Sequence, residues 1–246
     1  MKWVFYGIVI VLFFGPLWVL LTGQVDLSTH WQRADRSRVN IAPLPQDHPA
    51  ALVQVYAARA YHWRGLFAVH LWIAVKPQNA TEYTIYQVIG WNLYRHQPAL
   101  SVTRGMPDRR WFGHKPFIVE QIGGENATAA IYKIEQAVGS YPYKNTYRTW
   151  PGPNSNTFVA YVLRRVPELS AALPATAIGK DYLENGRLYA QSPSNTGIQF
   201  SLFGLLGFHL GLAEGLEFNV LGLSAGVDLL RPALKLPSID RLGVGR

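Results

Sequence analysis

Ser155 opens a run in which Phe158, Val159, Val162, Leu163 and Val166 recur at helical spacing, directly after the rigid lead Trp150-Pro-Gly-Pro-Asn154. The first turn of a helix presents unpaired N–H groups and the positive end of the dipole, where an oxyanion formed by attack of a hydroxyl would be stabilised. The other half of such a site is a base, and His70 is the single polar side chain in the apolar run Leu66–Val75. That run predicts a buried central strand carrying one imidazole. A third polar group would hold the ring, and Gln87 on the next strand is the candidate, with His96 and His114 as alternatives. The same residues have a plainer reading. Asn154 or Ser155 then only caps the helix, and His70 is a hydrogen-bonded core histidine.

A second set of residues could bind rather than react. Trp63, Trp72, Trp91, Trp111 and Trp150 exceed what a core of this size needs, and with Asn154 they could line a groove for a sugar or an acyl chain, or simply fill the core. Metal chemistry is not expected, because His30, His48, His62, His96, His114 and His209 show no ligand spacing. The chain has no cysteine, which removes thiolate nucleophiles, disulfides and cysteine metal sites. No Walker, dinucleotide or Gly-x-Ser-x-Gly pattern occurs, so no cofactor is expected. The net charge of +8 is scattered as singles and pairs such as Arg109-Arg110. Dispersed charge of this kind fits anionic lipid headgroups better than nucleic acid, for which there is no motif.

The elements that must position these groups read as α+β. Leu52–Ala57, Leu66–Val75 and Tyr83–Trp91 predict three strands, with short ones at Leu100–Thr103 and Pro116–Ile122. Ala127, Ala130, Ile131, Ile134 and Val138 give an amphipathic helix near 125–138, and the second helix begins at Ser155. Both would pack on a mainly antiparallel sheet. From Ile198 to Val220 the apolar residues fall largely on even positions, among many glycines, which predicts a glycine-rich β section with Phe208 in the middle of a buried face.

At the N-terminus, Val4–Leu21 is almost wholly apolar behind Lys2, long enough for one transmembrane helix, and Leu21-Thr-Gly-Gln is a poor export cleavage site. The expected organisation is an uncleaved anchor over residues 1–23, a juxtamembrane linker over 24–50, one domain over 51–231 and a surface tail over 232–246. Lys2 abuts the span, which favours a cytoplasmic N-terminus with the domain outside, although Arg33, Arg36 and Arg38 argue the reverse.

His70-Leu-Trp-Ile on a strand and Asn154-Ser-Asn-Thr-Phe-Val opening a helix resemble the circularly permuted NlpC/P60 (lecithin:retinol acyltransferase-like) papain-type domains. In those domains a strand histidine precedes an Asn-Cys-x-x-Phe helix, and here Ser155 stands at the cysteine's position. Over most of its length the chain resembles the bacterial domain of unknown function 3750. The segments Tyr86-Gln-Val-Ile-Gly-Trp91, Tyr141–Phe158 and Ala177-Ile-Gly-Lys-Asp-Tyr182 carry that resemblance. It implies a protein of the bacterial envelope; with the anchor and its expected orientation, that places it at the inner membrane with a periplasmic domain. Two functional readings follow. One is an amide or ester hydrolase, or an acyl transferase, using Ser155 and His70. The other is a catalytically silent module that holds a peptide, glycan or lipid.

Overall fold

The computed structural model describes Lys2 and residues 14–243. Strands β1 (Leu52–Arg59), β2 (Val69–Lys76), β3 (Thr84–Val88), β4 (Leu100–Arg104) and β5 (Phe117–Gly123) form one antiparallel sheet in the order β4-β3-β2-β1-β5. Successive side chains of a strand point to opposite faces. Val53, Val55, Leu71, Ile73 and Val75 therefore pack against helices α1 (Gly124–Ser140) and α2 (Ser155–Leu163). On the opposite face Tyr56, Ala58, Trp72 and Ala74 form a second core. β1 and β2 are buried on both faces, which is why their sequences read as nearly unbroken apolar runs.

The chain before β1 is strapped over that second face. Asp108, fully buried, accepts from Arg38 Nε at 2.9 Å and from the backbone N–H groups of Ile41 and Ala42 at 3.0 and 3.2 Å. The segment expected to be a juxtamembrane linker thus lies along the domain and is hydrogen-bonded to it.

α2 is buried along its whole length. Asn154 caps it, accepting from the N–H groups of Asn156 and Thr157 at 2.9 and 3.2 Å, while Thr157 Oγ1 accepts from the Asn154 N–H at 3.1 Å. This reciprocal pair satisfies donors that a buried helix end could not leave to water. Ser155 is the first helical residue and not the cap. Gly179 closes over the cap with φ +99°, and a Cβ there would lie 2.3 Å from Asn154 Nδ2, so a side chain is excluded on two counts.

A second antiparallel sheet follows. β6 (Tyr189–Gln191), β7 (Gly197–Leu202), β8 (Leu206–Gly211), β9 (Gly215–Val220), β10 (Leu223–Asp228), β11 (Ala233–Leu236) and β12 (Asp240–Gly243) pair in chain order. The period-2 pattern is therefore strand, as its spacing requires, but the row that is buried is the other one. Gln199, Ser201, His209, Glu217 and Asn219 face inward, while Ile198, Leu206, Leu210, Phe218 and Val220 are half exposed. The cause is the partner: the sheet packs on a charged surface and not on a helix. Residues 233–236 and 240–243 are strands, so the expected tail closes this sheet instead of extending over the surface.

Of the expected span Val4–Leu21, residues 4–13 lie outside the described residues and residues 14–21 are helical. Among the described residues no helix is long and apolar enough to cross a membrane.

Candidate functional site

The alternation of β2 decides where His70 goes. Val69 and Leu71 face the helices, so His70 shares the opposite face with Trp72. Its Nε2 lies 3.0 Å from Gln87 Oε1, and its ring stacks on Trp111 with centroids 3.7 Å apart and planes 7° from parallel. Gln87 is thus the ring's polar partner, the position expected for it; His96 and His114 make no hydrogen bond to it among the described residues. With Oε1 accepting, the imidazole carries a proton on Nε2. Burial pushes its pKa down to about 4, and the Gln87 hydrogen bond only partly opposes this.

Ser155 is not brought to it. Its hydroxyl is buried at the start of α2, on the sheet's helix side, and among the described residues donates only to Asn156 Oδ1 at 3.5 Å. No hydrogen bond joins Ser155 to His70 among the described residues. What binds α2 to β2 is instead Asn156, whose Nδ2 donates to the carbonyls of Val69 and Ile178 at 2.9 and 2.8 Å. The expected nucleophile–base pair is therefore unassembled, because a strand residue one position from Val69 must point away from the helix that Val69 faces. A base whose pKa sits near 4 is also poorly matched to deprotonating a serine hydroxyl at neutral pH.

The tryptophans separate likewise. Trp72 and Trp91 line a cavity of about 710 Å³ on the His70 side, together with Trp31, Tyr61, Trp111 and Phe112. Trp91 stacks on Trp111 at 5.5 Å, and Phe112 meets both rings edge-on at 5.3 and 5.1 Å. Gln87 reaches the cavity, while His70 lies behind Trp111. Trp150 stands elsewhere, donating Nε1 to the Leu221 carbonyl of the second sheet at 2.9 Å, and Asn154 is occupied as the cap.

Sequence reasoning missed the charge of this cavity. Arg36, Arg95, Arg104, Arg109 and Arg110 all line it, and among the described residues no carboxylate does. Arg36 lies over the Phe112 ring at 4.5 Å, and Arg110 pairs with Asp35 at 3.1 Å. Arg95, Arg104 and Arg109 make no ion pair among the described residues. The available signal was the Pro107-Asp-Arg-Arg-Trp-Phe-Gly loop, where two arginines adjoin two aromatics. No group of three or more metal-ligating side chains is gathered among the described residues.

Residues 50–182, more than half of the chain, match the family described as protein of unknown function DUF3750. The chain belongs to that family. The DUF3750 match covers the first sheet, both helices and the cavity wall from Tyr61 to Phe112, and it ends before β6. No curated protein and no solved structure matches the chain.

Proposed function

We infer that this protein is a binding module whose ligand is a single-chain anionic amphiphile, held with its apolar chain among Trp72, Trp91, Trp111 and Phe112 and its head among the arginines. The observation that carries this is the composition of the cavity wall: clustered aromatic rings, five guanidinium groups and no acid. Aromatic walls exclude water from an acyl chain, and guanidinium forks match phosphate and carboxylate oxygens. Arg95, Arg104 and Arg109, without an ion pair among the described residues, are the groups with charge left to offer. His70 and Gln87 form the floor that fixes Trp111 in place. The apolar run Val4–Leu21 and the basic charge support a site at the membrane of a bacterial envelope, with the domain outside the cytoplasm.

The kinship with permuted papain-type domains is a reading of shape. It rests on a helix opening with Asn-Ser packed on an antiparallel sheet, and on a strand histidine paired with a polar side chain of the next strand. The hydrolase or acyl transferase reading has less support, since Ser155 and His70 share no hydrogen bond among the described residues. Ser155→Cys, in a chain with no other cysteine, is expected to alkylate as slowly as an ordinary buried thiol. Rapid alkylation near neutral pH would restore the nucleophile.

Tryptophan fluorescence titrations with dodecyl phosphate, dodecyl maltoside and inorganic phosphate test the reading. Dodecyl phosphate should bind roughly tenfold or more tighter than the neutral maltoside, and added salt should narrow the gap. Arg104→Ala and Arg109→Ala should weaken only the anionic ligand, whereas Trp91→Ala should weaken both. Equal affinity for the two amphiphiles, or arginine variants without effect, would overturn it.

A further inference from the structure

The second sheet turns an apolar face to the outside. Pairing aligns Ile198, Leu210, Leu216, Val227, Leu234 and Leu242 in one row across β7 to β12. A parallel row runs through Phe200, Phe208, Phe218 and Ala225, and a third through Leu202, Leu206, Val220 and Leu223. No charged side chain interrupts these rows. The inward row at the same level is Gln199, His209, Glu217, Gly226, Lys235 and Arg241. Ile198, Leu210, Phe218 and Leu234 are each more than half exposed, which a monomer in water does not sustain over so wide a patch.

We propose that this face lies on a lipid bilayer, with its apolar side chains among the acyl chains beneath anionic headgroups. This rests on the sheet itself and not on the ligand assigned to the cavity. Three observations choose the occupant. The first is size: seven strands at about 4.8 Å spacing span about 29 Å, and six residues about 20 Å, whereas one helix is about 10 Å wide. The N-terminal residues could cover only a strip of it. The second is charge. At +8 the chain repels a second copy of itself and is drawn to anionic lipid. Arg187 and Arg231, which pair with Glu184 and Asp228 at 3.5 and 3.6 Å but stay 64% and 53% exposed, lie on the second-sheet segment of the chain. The third is continuity, for residues 14–21 form an apolar helix that touches the end of this sheet. A Cβ at Gly15 would lie 2.2 Å from the Pro237 carbonyl oxygen, and Leu17, Trp18 and Leu21 are exposed beside that contact.

The absence of cysteine makes the test direct. Leu210→Cys, Phe218→Cys and, as a reference on α1, Tyr132→Cys in the full chain would each carry one environment-sensitive fluorophore. Each chain would be reconstituted in vesicles of phosphatidylethanolamine and phosphatidylglycerol containing nitroxide-labelled lipid. The proposal expects lipid nitroxide to quench the probes at 210 and 218 roughly twofold or more while iodide in the water reaches them poorly, with the reverse at 132. Circular dichroism matching the parent chain would establish that the labelled proteins are folded. Iodide reaching all three probes alike would overturn it, since an N-terminal anchor alone would leave the sheet in water. So would probes at 210 and 218 shielded from both quenchers, which is the outcome if a second copy or the N-terminal residues cover the face.

Discussion

The two sheets are built from the same period-2 alternation and bury opposite kinds of row. In the first, valines, leucines and isoleucines of β1 and β2 meet the helices, and the other face is closed by Tyr56, Trp72 and Tyr83. In the second, the inward row is polar and charged. Lys180, from the loop after α2, pairs with Glu217, which also accepts from Lys235 Nζ at 3.1 Å, and His209 Nε2 lies 2.6 Å from Asp181 Oδ1. Arg164 bonds to Gln199 in the same layer. Burial alone would raise the Glu217 carboxyl, but Lys180 and Lys235 outweigh it and hold it well below the usual range. Lys180 is held up in turn, Glu217 and Asp181 outweighing its own desolvation. Alternation decides which side chains share a face, while the packing partner decides which way that face turns.

The second sheet is most sensitive at this charged junction. Lys180→Met leaves Glu217 buried with one cation fewer, and should cost about 3–5 kcal/mol in urea or thermal unfolding. Lys180→Met with Glu217→Leu should recover much of that loss, because a matched apolar pair carries no unpaired charge. A loss below about 1 kcal/mol for the single variant would mean that the charged layer does not hold the sheet.

A matched pair of truncations sharpens the contrast. Ile73→Ala empties a fully buried position in the first sheet and should cost about 2–5 kcal/mol. Leu210→Ala on the outward face of the second should stay within about 0.5 kcal/mol for detergent-solubilised protein. Equal costs would mean that the outward face is covered within the protein itself.

Much of the first sheet was legible because its strands must be apolar to be buried. β1, β2, both helices and the pairing of Gln87 with His70 all follow from local pattern and chain order. The side of the sheet on which His70 falls was legible in principle, from its one-residue offset to Val69, but only once Val69 was known to face α2. The orientation of the second sheet was not. Phe208 and His209 are equally good strand residues, and what turns His209 inward is Asp181, 28 residues earlier in the chain. The arginine-lined cavity was hidden for a similar reason, since Arg36, Arg95 and Arg109 come from three separate loops that fold over one face.

A pH-dependent stability effect distinguishes the floor of the cavity from the charged layer of the second sheet. His70 has its folded pKa depressed to about 4, so between about pH 6.5 and 4 the unfolded chain takes up a proton that the folded chain refuses. Stability should therefore fall as pH drops through that window, by up to about 3 kcal/mol from this group. His70→Leu should flatten that part of the pH–stability curve, whereas Glu217→Gln should leave it and remove a loss at lower pH, where the depressed carboxyl would have been protonated. An unchanged curve in His70→Leu would mean that the imidazole is reached by water.

What occupies the cavity of the first sheet decides whether it is the binding site. A crystal structure of the full chain with dodecyl phosphate should place the chain between Trp91 and Trp72 and the phosphate within hydrogen-bond distance of two or more of Arg95, Arg104 and Arg109. Amphiphile found only on the outward face of the second sheet, with the arginine-lined cavity holding water alone, would contradict the assignment of that cavity as the binding site.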